Sequence, residues 1–282
     1  MTASLPTATS IDLRVQPVDE VLERVERALD VRVEPESLVR KRRTVGARTD
    51  RGTWVRIERR PLEKVKGQGW NGTECAAVLD GVAKPAWLQG VSWSDTAGAA
   101  MWRADETELL PGEPVGPDSV LALSEEWWKA LNSSLDALAE QRTTRVATPD
   151  TVAITQAGVT AVIKETFPGV SDTTIGEWAP AHADLNWANM TSPQFCLFDW
   201  EDWGMAPRGL DAAWLWGNSL VLPELAERVR RERRRDLESR EGKLMSLFFC
   251  TKILGPHADA GDPRMGLARI EADRIVADLR AD

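Results

Sequence analysis

The sequence has few of the residues that most often announce chemistry. Its 282 residues include only two histidines, His182 and His257, and three cysteines, Cys75, Cys196 and Cys250. The cysteines are scattered and form no C-x-x-C pair, so a tetrahedral zinc centre is not expected. Their odd number, in a chain whose opening MTASLPTATS has neither a basic start nor an apolar block, predicts reduced thiols and a cytoplasmic protein. No apolar run approaches the roughly 18 residues of a membrane helix, so no membrane partner is expected. G-x-S-x-G is missing, which disfavours serine hydrolase chemistry, and so are the Rossmann and Walker glycine fingerprints. Residues 1 to 12 read as a disordered lead-in.

Charge is the next feature, and it is uneven. The net charge is −9. Residues 1 to 110 carry 17 basic and 17 acidic side chains, residues 111 to 222 carry 5 and 15, and the remainder carry 13 and 12. Nucleic acid is a poor partner for such a chain, because phosphate binding needs clustered positive charge. A cationic molecule or a metal-bound nucleotide suits the acidic middle better, although plain solubility explains the charge equally well. The basic run 228 to 235 is nearly neutralised by Glu224, Glu227, Glu232, Asp236 and Glu238, and reads as a solvated helix with ion pairs.

The hydrophobic pattern predicts two parts. Val18, Val21, Leu22, Val25 and Leu29 recur on one helical face. Two strands follow about a turn at Thr49 to Gly52, with Pro61 ending the second. A helix capped near Thr73 and two further strands about a turn at Asp95 to Gly98 complete a mixed segment over 1–110. The proline- and glycine-rich stretch 109 to 119 reads as a hinge. Residues 111–282 are mainly helical. Ser124 caps a helix with Trp127, Trp128, Leu131, Leu135 and Leu138 on one face. Thr148 and Pro149 start another, burying Val159, Val162, Ile163 and Phe167. Residues 194 to 200, QFCLFDW, read as a short strand after a turn at Thr191 to Pro193. Helices are expected over 211 to 222, 223 to 239, 241 to 254 and 263 to 280. The fold class is α+β.

Three polar segments lie in the second part: His182-Ala183-Asp184-Leu185-Asn186-Trp187-Ala188-Asn189, Phe198-Asp199-Trp200-Glu201, and Gly209-Leu210-Asp211. A loop, a strand and a turn can fold back so that Asp184, Asn189 and Asp199 converge. Asn189 and Asp199 offer hard oxygens of the kind magnesium takes beside phosphate, and Asp184 is left to orient a hydroxyl and take its proton. Taken singly, these residues read as turn and capping groups. Their order and spacing point to phosphoryl transfer, in which positioning and charge neutralisation do most of the work.

H-x-D-L-x-x-x-N, then a strand ending in D-W-E, then G-x-D before a helix, resembles the aminoglycoside phosphotransferase family, which has a two-lobed protein-kinase-like fold. The resemblance implies a smaller nucleotide-binding lobe over 1–110 and a larger lobe over 111–282 that carries the catalytic loop and acceptor site. It implies Asp184 as the catalytic base, Asn189 and Asp199 as Mg2+ ligands, and His182 and Asp211 as structural support. Trp187 and Glu201 are the candidate acceptor contacts. The family usually has glycine where Ala183 stands and His-Pro-Gly where Asn186-Trp187-Ala188 stand. The kinase-like strand lysine is also missing: WVRIERRP offers Arg59 or Arg56 for the phosphates, and placing Ile57 against the base would select Arg59. Glu74 is the candidate ion-pair partner of that arginine.

The expected activity is transfer of the γ-phosphate of ATP or GTP, with Mg2+, to a hydroxyl of a small molecule such as a cationic sugar or antibiotic scaffold. Two alternatives keep the fold. One is a Ser/Thr peptide kinase acting with a partner lyase. The other is a catalytically silent binding module, suggested by the missing lysine.

Overall fold

A computed structural model describes residues 12–95 and 98–281. The lead-in expected to be disordered therefore lies outside the described residues except for Asp12, and so do two residues of the turn expected at Asp95 to Gly98. The chain divides into two compact units. The first holds the described residues up to Val78 together with Lys84–Leu110. The second holds Leu79–Ala83 and Pro111 onward.

In the first unit, helix α1 (Asp19–Leu29) precedes strands β1 (Val39–Arg40), β2 (Thr44–Arg48) and β3 (Thr53–Pro61). Single turns of helix follow at α2 (Leu62–Val65) and α3 (Gly72–Cys75), then strands β4 (Trp87–Ser94) and β5 (Ala100–Glu108). The five strands form one antiparallel sheet in the order β1-β2-β3-β5-β4. The β2–β3 turn lies where the sequence places it, closed by Gly52 N donating to Thr49 O at 2.9 Å. Side chains alternate across the pleat. Val45, Val55, Ile57 and Ala104 face α1 and are buried with its Val25 and Leu29. Removing such apolar groups from water contributes roughly 1.5–3 kcal/mol per side chain.

The helix expected over 70–82 is the first correction. It is only α3 flanked by 3-10 turns, with no side-chain cap at its start. Gly67, Gly72 and Gly81 bracket a segment too short for helix propagation to offset nucleation.

The second unit begins with β6 (Glu113–Pro114) and α4 (Glu125–Ala139), where Ser124 Oγ accepts from Trp127 N at 3.2 Å. Then come α5 (Gln156–Thr166), β7 (Trp178–Ala181), β8 (Thr191–Ser192) and β9 (Gly204–Pro207). Helices α6 (Leu210–Asn218), α7 (Pro223–Glu232), α8 (Arg234–Leu237), α9 (Arg240–Leu254) and α10 (Met265–Ala281) end the unit. Helix α9 is its axis, burying Leu244, Met245, Leu247, Phe249 and Ile253 against α5, α6 and α10. The basic run is paired as expected: Arg228 to Glu125 and Glu232, Arg230 to Glu271, Arg233 to Asp236, and Arg234 to Glu238. No described helix is long and apolar enough to cross a membrane.

Several boundaries differ from expectation. Part of the hinge, Glu113–Pro114, is a strand paired with Thr191–Ser192. Asp150 and Thr151 are left-handed, with φ of 55° and 66°, so the helix expected from Thr148 starts only at Gln156, where Thr155 Oγ1 caps Gly158 N at 3.1 Å. Val159 and Ile163 are its buried residues. The segment 194–200 is not a strand. One bridge, Met190 to Leu197, and the bonds Thr191 N to Cys196 O and Phe198 N to Asn189 O fold it back irregularly. The helix expected over 223–239 breaks at Arg233, which has non-helical torsions.

Candidate active site

The ribbon β7–β9 positions both polar segments. Ala181 pairs with Gly204, so the loop that follows His182 and the loop that ends at Trp203 leave the same end of the ribbon. Gly209, at φ 82°, turns the chain into α6, where an added Cβ would lie 2.9 Å from Gly242 Cα. Asp211 in the first turn of α6 then braces the loop. Its Oδ2 accepts from His182 N at 2.7 Å and its Oδ1 from Ala183 N at 2.9 Å. Burial pushes the Asp211 carboxyl up, against the opposing effects of His182, these two amides and Arg233.

Ala183 has φ 67°, a left-handed conformation at the position where the resembling family carries glycine. An alanine there costs roughly 1–2 kcal/mol, and the amide bond to Asp211 helps to hold it. His182 is fully buried, and burial pushes its imidazole pKa down, against the pull of Asp211 and Asp199. A neutral ring has one N–H, and Nε2 donates it to Phe198 O at 3.0 Å because a carbonyl can only accept. The ring also meets Trp200 edge-on, at 4.7 Å between centroids. His182 therefore ties the first loop to the second.

Asp184 is held between two amides. Asn189 Nδ2 donates to Asp184 Oδ2 and to Asp184 O, both at 2.9 Å, and Asn186 Nδ2 donates to Oδ1 at 3.2 Å. Burial pushes the Asp184 carboxyl up, the bond from Asn189 opposes this, and the nearby charge of Asp199 raises it further. With both acceptors on its nitrogen, Asn189 has its Oδ1 left for another ligand. Asp199 has φ 67° and an exposed side chain, and among the described residues its carboxylate makes no hydrogen bond or ion pair. Asn189 Oδ1 and the Asp199 carboxylate are hard oxygens of the kind Mg2+ takes beside phosphate, and the bond from Phe198 N to Asn189 O at 3.0 Å brings the backbone just before Asp199 against Asn189. Among the described residues no group of three or more His, Cys, Asp or Glu could hold a metal by itself.

Asp202, three residues beyond Asp199, is half-buried rather than exposed. Its carboxyl is pushed up to about 6, chiefly by burial, with the charges of Glu201, Asp184 and Asp199 adding to the shift and a bond from Thr148 Oγ1 at 2.6 Å opposing it. Trp187 is less free than expected. Its Nε1 donates to Ser219 Oγ at 3.1 Å, and its ring stacks 6.1 Å from Trp127, so only part of the indole remains for an acceptor. Glu201 is half-buried beside this cluster. Trp200, Trp203, Trp214 and Trp216 are buried wall and core.

The arginines of the first unit need the clearest correction. Ile57 and Arg59 share the face covered by α1, so Ile57 is core. Arg59 is paired with Asp95 at 2.6 Å and lies over Trp102. Arg56 is on the opposite face, 3.5 Å from Glu58. Glu74 pairs with neither. Its partner is Arg103 on β5, at 3.0 Å, and Arg103 is also gripped by Asp105 through Nε at 2.7 Å and Nη2 at 2.6 Å. The β3–β5 register, Arg56 to Asp105 and Glu58 to Arg103, sets these groups on one face. The only sequence signal for Arg103 was its place in a strand alternating with that face, which becomes useful once strand pairing is known.

No family model matches the chain, and no curated protein matches it. Solved structures do. An amicoumacin kinase in complex with AMP-PNP, Ca2+ and Ami aligns at TM-score 0.56 and 14% identity, over 92% of this chain and 94% of that one. The aminoglycoside phosphotransferase APH(4)-Ia aligns at TM-score 0.58 and 11% identity, over 93% and 99%. A choline/ethanolamine kinase family protein from Mesorhizobium loti aligns at TM-score 0.57 and 16% identity, over 94% and 99%. The chain has the α+β, protein-kinase-like fold that these phosphotransferases share.

Proposed function

We propose that this protein is a phosphotransferase that moves the γ-phosphate of ATP or GTP to a hydroxyl of a small molecule. The observation that carries the reading is Asp184. Its half-buried carboxylate is oriented by Asn186 and Asn189, lies close enough to feel the Asp199 charge, and sits on a loop braced by Asp211. In this reading Asp184 accepts the hydroxyl proton, and its upward-shifted pKa makes it a stronger base than a solvated carboxylate. Asn189 and Asp199 hold Mg2+. When bound, the ion supplies neutralisation of phosphate charge. Arg103, paired with Glu74, is the first unit's candidate for binding phosphate, with Arg56 on the same sheet face, where the sequence alone offered Arg59 or Arg56. Arg59 is structural.

Neighbours crystallised with AMP-PNP and Ca2+, or with AMP-PNP and hygromycin B, support the donor and acceptor classes. The Asp202 carboxyl, close enough to Asp184 to feel its charge, adds to the negative field there and favours a cationic acceptor.

The test is phosphate transfer from labelled ATP and GTP to panels of amino sugars, amino alcohols and hydroxylated peptides. Transfer to a small amine that disappears in Asp184→Asn is the expected outcome. Labelled peptide alone would move the assignment to a peptide kinase. No transfer, and no thermal shift with Mg-ATP or Mg-GTP, would leave a silent binding module.

A further inference from the structure

The phosphotransferase reading makes Asp199 a metal ligand, and the conformation of Asp199 is unusual. It is a non-glycine residue at φ 67° with no side-chain bond of its own among the described residues. Something else must hold it. On its N-terminal side, His182 fixes the carbonyl of Phe198. On its C-terminal side the grip comes from an extended segment, 145–148, far away in sequence.

That segment runs beside residues 202–205. Met205 N donates to Arg145 O at 2.8 Å, Ala147 N to Met205 O at 3.0 Å, and Thr148 N to Asp202 O at 2.9 Å. Val146 and Met205 form a parallel bridge. The approach is tight enough that a Cβ on Gly204 would lie 2.6 Å from Ala147 N. Two side chains then reach into the loop after Asp199. Arg145 Nε donates to Trp203 O at 3.2 Å and its Nη2 to Glu201 O at 3.4 Å, while the guanidinium lies 5.0 Å over the Trp203 ring. Thr148 Oγ1 donates to Asp202 Oδ1 at 2.6 Å. Residues 201, 202 and 203 are thus all tied to one strap.

We propose that Arg145 and Thr148 are positioning residues for the metal ligand Asp199. They touch neither metal nor substrate. They hold the backbone of residues 201–203 so that Asp199 stays left-handed and presents its carboxylate before metal arrives. Without them the loop relaxes, and the ordering of Asp199 is paid when metal binds. Outer partners of this kind typically alter metal affinity by roughly 10–100-fold.

The test is Mn2+ binding in the presence of ADP, followed by the free Mn2+ resonance signal, with thermal unfolding in parallel. Arg145→Met keeps the side-chain stem over Trp203 and loses the donors. Thr148→Val keeps shape and loses the hydroxyl. Arg145→Lys restores one charged donor. The expected result is Mn2+ affinity weakened roughly 10-fold in Arg145→Met and less in Thr148→Val, with partial recovery in Arg145→Lys and kcat largely regained at saturating metal. Asp199→Asn is the control. If Asp199→Asn weakens Mn2+ binding but Arg145→Met and Thr148→Val do not, the positioning role is wrong. If Asp199→Asn itself leaves binding unchanged, the metal assignment beneath it is wrong. If Arg145→Met unfolds, Thr148→Val and Arg145→Lys decide the matter.

Discussion

The sheet of the first unit and the loops around Asp184 in the second treat charge in opposite ways. On the sheet of the first, acids and bases are matched. Glu58 pairs with Arg60 and Arg56, Asp105 and Glu74 with Arg103, and Asp95 with Arg59. In the second, Asp184 and Asp199 lie close together with no ion pair among the described residues, and Asp202 beside them is pushed up to about 6. A buried charge costs several kcal/mol unless paired. The first unit has satisfied that cost within itself. The loops around Asp184 leave the half-buried Asp184 and Asp202 within reach of each other's charge and of Asp199, a cost that makes sense where a cation completes the arrangement.

That contrast can be broken experimentally. The largest effect expected is on transfer itself: Asp184→Asn should lower kcat by about 10²–10⁴-fold without raising the nucleotide KM, as measured by steady-state kinetics. A matching rise in the nucleotide KM would mean a disturbed nucleotide site rather than a missing base. Next comes Asp211→Ala, which strips the amides of His182 and Ala183 of their acceptor in a buried site. It should destabilise the protein by about 3 kcal/mol in urea unfolding.

The arginines provide an intermediate test. Arg59→Met should lower stability by about 2 kcal/mol, because Asp95 loses its cation, and leave the nucleotide KM alone. Arg103→Met should raise that KM by about 10-fold. The reverse pattern would return the phosphates to β3.

The smallest effect tests the repulsion directly. Asp202 has a folded-state pKa of about 6, above its ordinary 3.8. Its favourable contribution is therefore complete below about pH 3.8 and is lost as pH rises through about 6. Asp202→Asn keeps an oxygen for Thr148 and removes the charge. It should raise Tm by about 2 °C at pH 7.5, with the gain vanishing near pH 4. A gain independent of pH would refute the charge argument.

Much of this was legible in the chain, for identifiable reasons. The face Val25 and Leu29 of α1, the β2–β3 hairpin and the Ser124 cap of α4 depend on neighbours within a few residues. Their periodicity and turn chemistry survive folding unchanged. The ribbon β7–β9 was not legible. WAPA and GMAP show no alternation, each contains a proline, and their partners lie more than 20 residues apart. The partner of Glu74 was missed because an ion pair between an α3 residue and β5 depends on sheet register, which no local pattern encodes.

Residue type and order by themselves singled out Asp184, Asn189, Asp199 and Asp211, at spacings that resemble those of the phosphotransferase motif. Tertiary structure decided which charges are spent on folding and which remain for a ligand. It paired Arg59 with Asp95, set Arg103 with Glu74, and laid residues 145–148 along the loop after Asp199. The physical reason is range. Periodicity and capping act within one or two turns of chain, whereas pairing, burial and the pKa shifts they cause are set by groups that meet only when distant segments pack.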